Sequence, residues 1–95
     1  MAKLGIRFSK SAVKDLKSIQ EYIYADNPAK AKEVVKHIIG KIEDILAENP
    51  SAGKAGRVLG TRELVIAKYP YIVPYQVKDD VVFILRVLHT SRIWA

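Results

Sequence analysis

A chain of 95 residues and 10.7 kDa is one domain with room for a single core, and 49% hydrophobic with 27% charged residues is a globular composition that excludes disorder. The absence of cysteine removes disulfides, thiolate metal sites, iron–sulfur clusters and a thiol nucleophile, and no apolar run approaches the roughly 18 residues of a membrane span. A net charge of +6, with a pI near 9.7, suits either an anionic partner or plain solubility.

The first residues, Met1 to Arg7, carry no apolar export segment and no cleavage pattern, so they read as part of the fold. Residues 3–8 alternate, with Leu4, Ile6 and Phe8 on one side, which predicts a short strand with one buried face. Ser9 is the expected cap of a first helix, with Ser11 as a rival one turn in. That helix runs over 10–25, with Val13, Leu16, Ile19, Ile23 and Tyr24 as its apolar face and Lys10, Lys14 and Lys17 on the solvated one. Asn27 can cap a second helix and Pro28 suits its first position, where a missing N–H costs nothing. The second helix spans 28–48, with Ala31, Val34, Val35, Ile38, Ile39, Ile42, Ile45 and Leu46 apolar, and Asn49-Pro50 ends it. With two residues between them, the helices form an antiparallel hairpin.

Residues 50–60 hold three glycines and a proline and read as a connecting loop. Lys54 and Arg57 there could cradle a phosphate, but the spacing is not that of a P-loop and no helix follows. Strands are expected over 62–67, 71–77 and 81–88, with a tight turn at 78–80. Tyr71, Val73, Tyr75 and Val77 share one face of the middle strand, and Pro74 predicts a bulge or an edge. In the last strand the core face is expected to be Val81, Phe83, Leu85 and Val87, because the alternate face carries Arg86. A tail, 89–95, contains Arg92 and Trp94. The order β-α-α-β-β-β predicts an α+β fold of two layers, a helical hairpin packed on an antiparallel sheet, in one domain covering 1–95.

Residues that could carry chemistry concentrate in the second half. Residues 49–95 have a net charge of +4 against +2 for residues 1–48, and Arg57, Arg62, Arg86 and Arg92 all lie there. No metal is expected, since His37 and His89 lie on different elements and no ligand spacing is present. His37 reads as a solvated helix residue. Ser91 is two residues from His89, a spacing that does not by itself form a nucleophile–base contact. Arginine, tyrosine, histidine and tryptophan on one sheet face suit RNA, where bases stack and cations hold phosphates, and equally suit a protein interface. Arg86, between Leu85 and Val87, needs a partner or a path to water.

Thr61-Arg62-Glu63-Leu64, the run 69–75 (Tyr-Pro-Tyr-Ile-Val-Pro-Tyr), the run 84–89 (Ile-Leu-Arg-Val-Leu-His), Arg92 and Trp94 resemble the pattern of RelE/ParE-superfamily toxins of type II toxin–antitoxin modules. Ala12, Asp15-Leu16, Ile19, Tyr22-Ile23, Asn49-Pro50 and Gly53 resemble the helical half and the loop that follows it. The resemblance implies the same β-α-α-β-β-β fold and a toxin neutralised by a cognate antitoxin in a hetero-oligomer, acting in the cytoplasm, away from any membrane and without a cofactor. RelE-like members are metal-independent endoribonucleases that cut mRNA on the ribosome, whereas ParE-like members are inhibitors that poison DNA gyrase. The RelE pattern puts arginines where this chain has Ile72 and Thr90, and its tyrosine past Ala95, so the resemblance is closer on the ParE side. The target-binding set it implies is Arg62, Tyr75, Arg86, His89, Arg92 and Trp94. Arg86, His89 and Arg92 would be the catalytic candidates of a nuclease. A basic nucleic-acid-binding domain is the reading from a different class.

Overall fold

In the computed structural model, which describes residues 3–92, Ser9 closes the first strand and opens the first helix. Its hydroxyl accepts from Ala12 N (3.0 Å) and donates to Leu85 O (2.8 Å), while its own N–H donates to Ile84 O (2.9 Å). The cap is therefore also a sheet contact, which is why Ser9 and not Ser11 holds the position. Strand β1 is Gly5–Phe8 and helix α1 is Lys10–Tyr24. Asn27 caps α2, Pro28–Leu46, by accepting from Lys30 N (3.1 Å), with Pro28 in the first turn.

The α2 face made of Ala31, Val34, Ile38, Ile42 and Leu46 is buried at steps of three and four. On α1 the inward stripe is Ala12, Leu16, Ile19 and Ile23. Val13 and Tyr24, assigned by periodicity to that stripe, are both more than half exposed. Each follows a stripe residue and is therefore turned about 100° away from it. His37 is not simply solvated: it stands edge-on to the Tyr69 ring at 5.2 Å.

Strands β2 (Lys54–Ala55), β3 (Arg62–Ile66), β4 (Tyr71–Lys78), β5 (Val81–Ile84) and β6 (Leu88–His89) complete the sheet. A 3-10 turn, Thr90–Arg92, follows. The sheet order is β1-β5-β4-β3-β2, with β6 also paired to β4. It is a mixed sheet, because β1 runs parallel to β5 while the other pairs are antiparallel. The long connection that a parallel pair requires is the chain from α1 through β4, which begins with the helical hairpin. The fold is thus α+β, two helices on one face of a sheet. The glycine-rich connector is more ordered than its composition predicts, since β2 inside it forms a hairpin with β3. No helix among the described residues is long and apolar enough to cross a membrane.

The face predicted for the last strand is reversed over its first half. Val82 and Ile84 are fully buried, whereas Val81, Phe83 and Leu85 are half-buried; Val87 is in the core as expected. The cause is a β-bulge. Tyr75 pairs with Ile84 and Ile72 pairs with Leu88, so three steps on β4 face four on the other side. Pro74 sits opposite the extra residue. It has no N–H to give, and its carbonyl accepts from Leu85 N (2.9 Å). Arg86 therefore correctly marks the outward side beyond the bulge and misleads before it. Val77, expected inside, is 41% exposed at the far end of β4. The turn at Asp79 (φ 52°) and Asp80 (φ 61°) has the two positive φ values of a two-residue hairpin.

Because Ile38 and Ile42 are completely buried at the helix–sheet contact, Ile42→Asp is expected to abolish cooperative folding. An unpartnered buried carboxylate costs several kcal/mol, against a domain total of about 5–15 kcal/mol. Lys17→Glu on the exposed face of α1 is expected to change stability by no more than about 0.5 kcal/mol. Urea denaturation followed by far-UV circular dichroism checks both; similar losses for the two variants would contradict the helix faces.

Candidate functional site: the cleft between the first helix and the last strand

The bulge takes residues 85–87 out of the sheet ladder, and α1 supplies what the ladder no longer gives. Asp15 Oδ2 accepts from Val87 N (2.9 Å) and from Arg86 Nε (2.7 Å), and Asp15 Oδ1 accepts from Arg86 Nη2 (3.0 Å). This two-point pairing is the strong form of a carboxylate–guanidinium contact. Partial burial pushes the Asp15 carboxyl up, but the bonds from Arg86 and Val87 and the Arg86 charge outweigh it and hold the group below its ordinary range. The same bond raises Arg86. Arg86 thus has the partner its apolar setting demands, and Asp15 is the residue that sequence reasoning treated only as part of a helix. The available signal was an acid beside the inward stripe of α1 and a lone cation in an apolar strand.

Beside this pair lies a cleft of about 500 Å³ lined by Ser18, Ile19, Tyr22, Ile23, Tyr71, Leu88, His89 and Ser91. His89 stands edge-on to Tyr71, with ring centres 5.4 Å apart. Its Nδ1 accepts from Ser91 N (3.2 Å) and is 2.7 Å from Ser91 Oγ. A backbone N–H aimed at Nδ1 requires a lone pair there, so the neutral ring carries its proton on Nε2. The 3-10 turn thus makes the Ser91–His89 contact that spacing alone does not. It is a local cap on the turn, in which serine donates through both its backbone and its hydroxyl.

The expected site residues do not all meet. Arg86 and His89 line the cleft. Arg92 ends the 3-10 turn beyond it, and Trp94 lies outside the described residues. Arg62 and Tyr75 pair with each other across β3 and β4 and serve the loop at 50–53. Tyr75 Oη donates to Pro50 O (2.7 Å) and accepts from Gly53 N (2.9 Å), and Arg62 Nη1 donates to Gly53 O (2.8 Å). Gly53 has no space for a side chain: a Cβ would lie 2.7 Å from the Tyr75 ring and 2.9 Å from Glu63 O. Tyr75 is 0% exposed, so its side chain lies in the core and not on a contact surface, and its hydroxyl anchors the loop. Among the described residues no group of three or more histidines or carboxylates is placed to hold a metal ion.

Residues 6–94 match the family described as ParE toxin of type II toxin–antitoxin system, parDE. The chain is 44% identical over 94 residues to the candidate toxin Y4kP of Sinorhizobium fredii, across 99% of this chain and 96% of that one. It is 34% identical over 82 residues to toxin RelE2 of Caulobacter vibrioides, across 86% and 90% of the two chains. Among solved structures, a chain of the chromosomal ParDE toxin–antitoxin system of P. aeruginosa superposes with a TM-score of 0.84 at 27% identity, covering 92% of this chain and 96% of that one.

Two outcomes are expected from this geometry. Asp15 has a depressed folded-state pKa, so its stabilisation is fully present above the unfolded value of about 4 and is lost as pH falls through the folded value. Asp15→Asn is expected to cost about 1 kcal/mol at pH 7, a discounted figure because Arg86 is half exposed, and the deficit should shrink below about pH 4. Denaturant titrations at pH 7 and pH 3 read this directly; a deficit independent of pH would contradict it. Tyr75→Phe leaves Gly53 N without its buried acceptor and is expected to cost about 2 kcal/mol, seen as a lower thermal midpoint.

Proposed function

We propose, because the chain belongs to the ParE toxin family of type II toxin–antitoxin systems, that it arrests growth by poisoning DNA gyrase and is neutralised by a cognate antitoxin. The observation that carries the choice of target is the Asp15–Arg86 pair. Metal-independent RNA cleavage needs a base that takes the 2′-hydroxyl proton and a cation that steadies the charge on phosphorus. In the described cleft the two-point face of Arg86 is already occupied by a carboxylate. The lone pair of His89 is engaged by Ser91, and the ring's other nitrogen is a donor. Both groups are thus engaged within the protein, which supports recognition over cleavage. A cleft with a donor, a guanidinium and apolar walls suits recognition of a protein surface.

The net charge of +6 suits an acidic antitoxin, since opposite charge speeds encounter and apolar anchors then hold the complex. The ribosome-dependent nuclease is the second reading, supported by the likeness to RelE2 and by the presence of His89 in the cleft.

Purified protein is expected to inhibit supercoiling by gyrase, and its expression to induce the SOS response. Reading mRNA from the same cells tests the second mechanism. Ribosome-dependent cleavage by the wild type, lowered about a hundredfold or more in His89→Ala while ribosome binding persists, would overturn the gyrase reading. Tight, steeply salt-dependent binding to naked DNA or RNA without either machine would instead favour a simple nucleic-acid-binding domain.

A further inference from the structure

The β2–β3 hairpin displays two apolar side chains to solvent at its tip. Leu59 is 99% exposed and Val58 69% exposed. A single exposed leucine needs no explanation, but here the tip is rigidly built. Gly56 N donates to Thr61 O (2.8 Å), and Thr61 donates to Val58 O through its N–H (3.1 Å) and its hydroxyl (2.6 Å). Glu63, buried behind the tip, accepts from Arg57 N (3.1 Å) and lies 3.9 Å from the Arg57 guanidinium. Two glycines are required: a Cβ at Gly56 would overlap Thr61, and Gly60 has φ +83°. A buried carboxylate and a bonded turn thus hold in place two side chains that contribute nothing to the core.

Lys54 in β2 and Arg57 at the start of the turn lead to the tip, the segment 54–62 contains no acid, and the adjoining Glu63 is buried; Arg62, at the foot of the hairpin, is turned to Gly53 O. Gly60 lies against the Gln76 side chain, which places the tip beside the far end of β4, away from the cleft at Tyr71. From Tyr71 to Val77 along β4 is about 20 Å.

We propose that this hairpin is a docking finger that inserts Val58 and Leu59 into an apolar pocket rimmed by carboxylates on the folded target protein. The proposal rests on the reading of the chain as a poison of another protein. A segment that folds on binding lies in grooves and along helix faces. A convex tip that is ordered beforehand fits a concavity that is ordered too, and it binds with little further loss of freedom. The basic flank favours an acidic rim.

The test is the pair Val58→Ser, Leu59→Ser, whose exposed positions leave folding intact, with Lys54→Glu as a separate charge variant. Growth arrest on expression without antitoxin reads the finger whatever the target is; supercoiling inhibition reads the gyrase assignment; calorimetry reads antitoxin binding. The serine pair is expected to restore colony formation about a hundredfold and to raise the half-inhibitory concentration about tenfold or more, with the thermal midpoint and antitoxin affinity unchanged. Lys54→Glu is expected to weaken inhibition about threefold. Unchanged growth arrest by the serine pair would overturn the finger. An equal loss of antitoxin affinity would assign the tip to the antitoxin instead. Growth arrest that depends on the finger while wild-type protein leaves gyrase untouched would keep the finger and remove the gyrase reading.

Discussion

The Asp15 carboxylate joins the middle of α1 to the segment 85–87, whose start is already tied to the α1 cap by Ser9. One oxygen holds the backbone N–H of Val87 and the Nε of Arg86, the other holds Nη2, and both stand on α1. Residues 85–87 have left the ladder, so without this carboxylate a part-buried N–H and a guanidinium beside apolar neighbours would each need water. The cleft is built beside that junction. The junction sets the distance between α1 and the end of the sheet, and it leaves the walls formed by Ile19, Tyr22 and Tyr71 facing His89 across an open volume. It also fixes the chemistry, because an arginine clasped at two points by a carboxylate is a positioned donor and no longer a free phosphate clamp.

A second junction organises the opposite side. Arg62 and Tyr75 face each other on β3 and β4, and together they hold the carbonyls of Pro50 and Gly53 and the amide of Gly53. This fixes the chain as it leaves α2 and delivers it to β2 in a set direction. The hairpin that follows is built from its own turn bonds and from Glu63, not from burial of its tip. The molecule therefore has two ordered surfaces of different character. One is concave and polar-edged, between α1 and β6. The other is convex and apolar, with a basic flank. A toxin that must meet both an antitoxin and a target has use for two such surfaces.

Local rules carried the sequence reading a long way where they are local in fact. The caps at Ser9 and Asn27, the helix pair, the position of Pro74 and the existence of three main strands all follow from residue type and spacing. Alternation failed in the last strand because the bulge there depends on a proline in a neighbouring strand, which periodicity along one segment cannot register. The parallel seating of β1 was missed for a related reason: direction in a sheet is set by the crossover, not by the strand's own composition. At the site, Arg86 and His89 were legible as residue types out of place, but their partners lie on α1 and in the turn after β6. Tyr75 looked like a recognition tyrosine in the run of tyrosines, yet its ring is core and its hydroxyl is spent on the loop.

The bulge has a further consequence for how this chain tolerates change. Tyr71 pairs with His89 because one additional residue stands between Ile84 and Leu88. Side chains along a strand alternate between faces, so a ladder continued from Ile84 without the bulge would bring Leu88 opposite Tyr71 and send the imidazole to the far side of the sheet. Loss of one codon from 85–87 would instead close the bulge and keep His89 opposite Tyr71 in a regular ladder. What such a loss would remove is the slack that lets Val87 N and Arg86 reach Asp15. The extra residue is thus reach toward α1, and a deletion there would spare the ring while undoing the junction beside it.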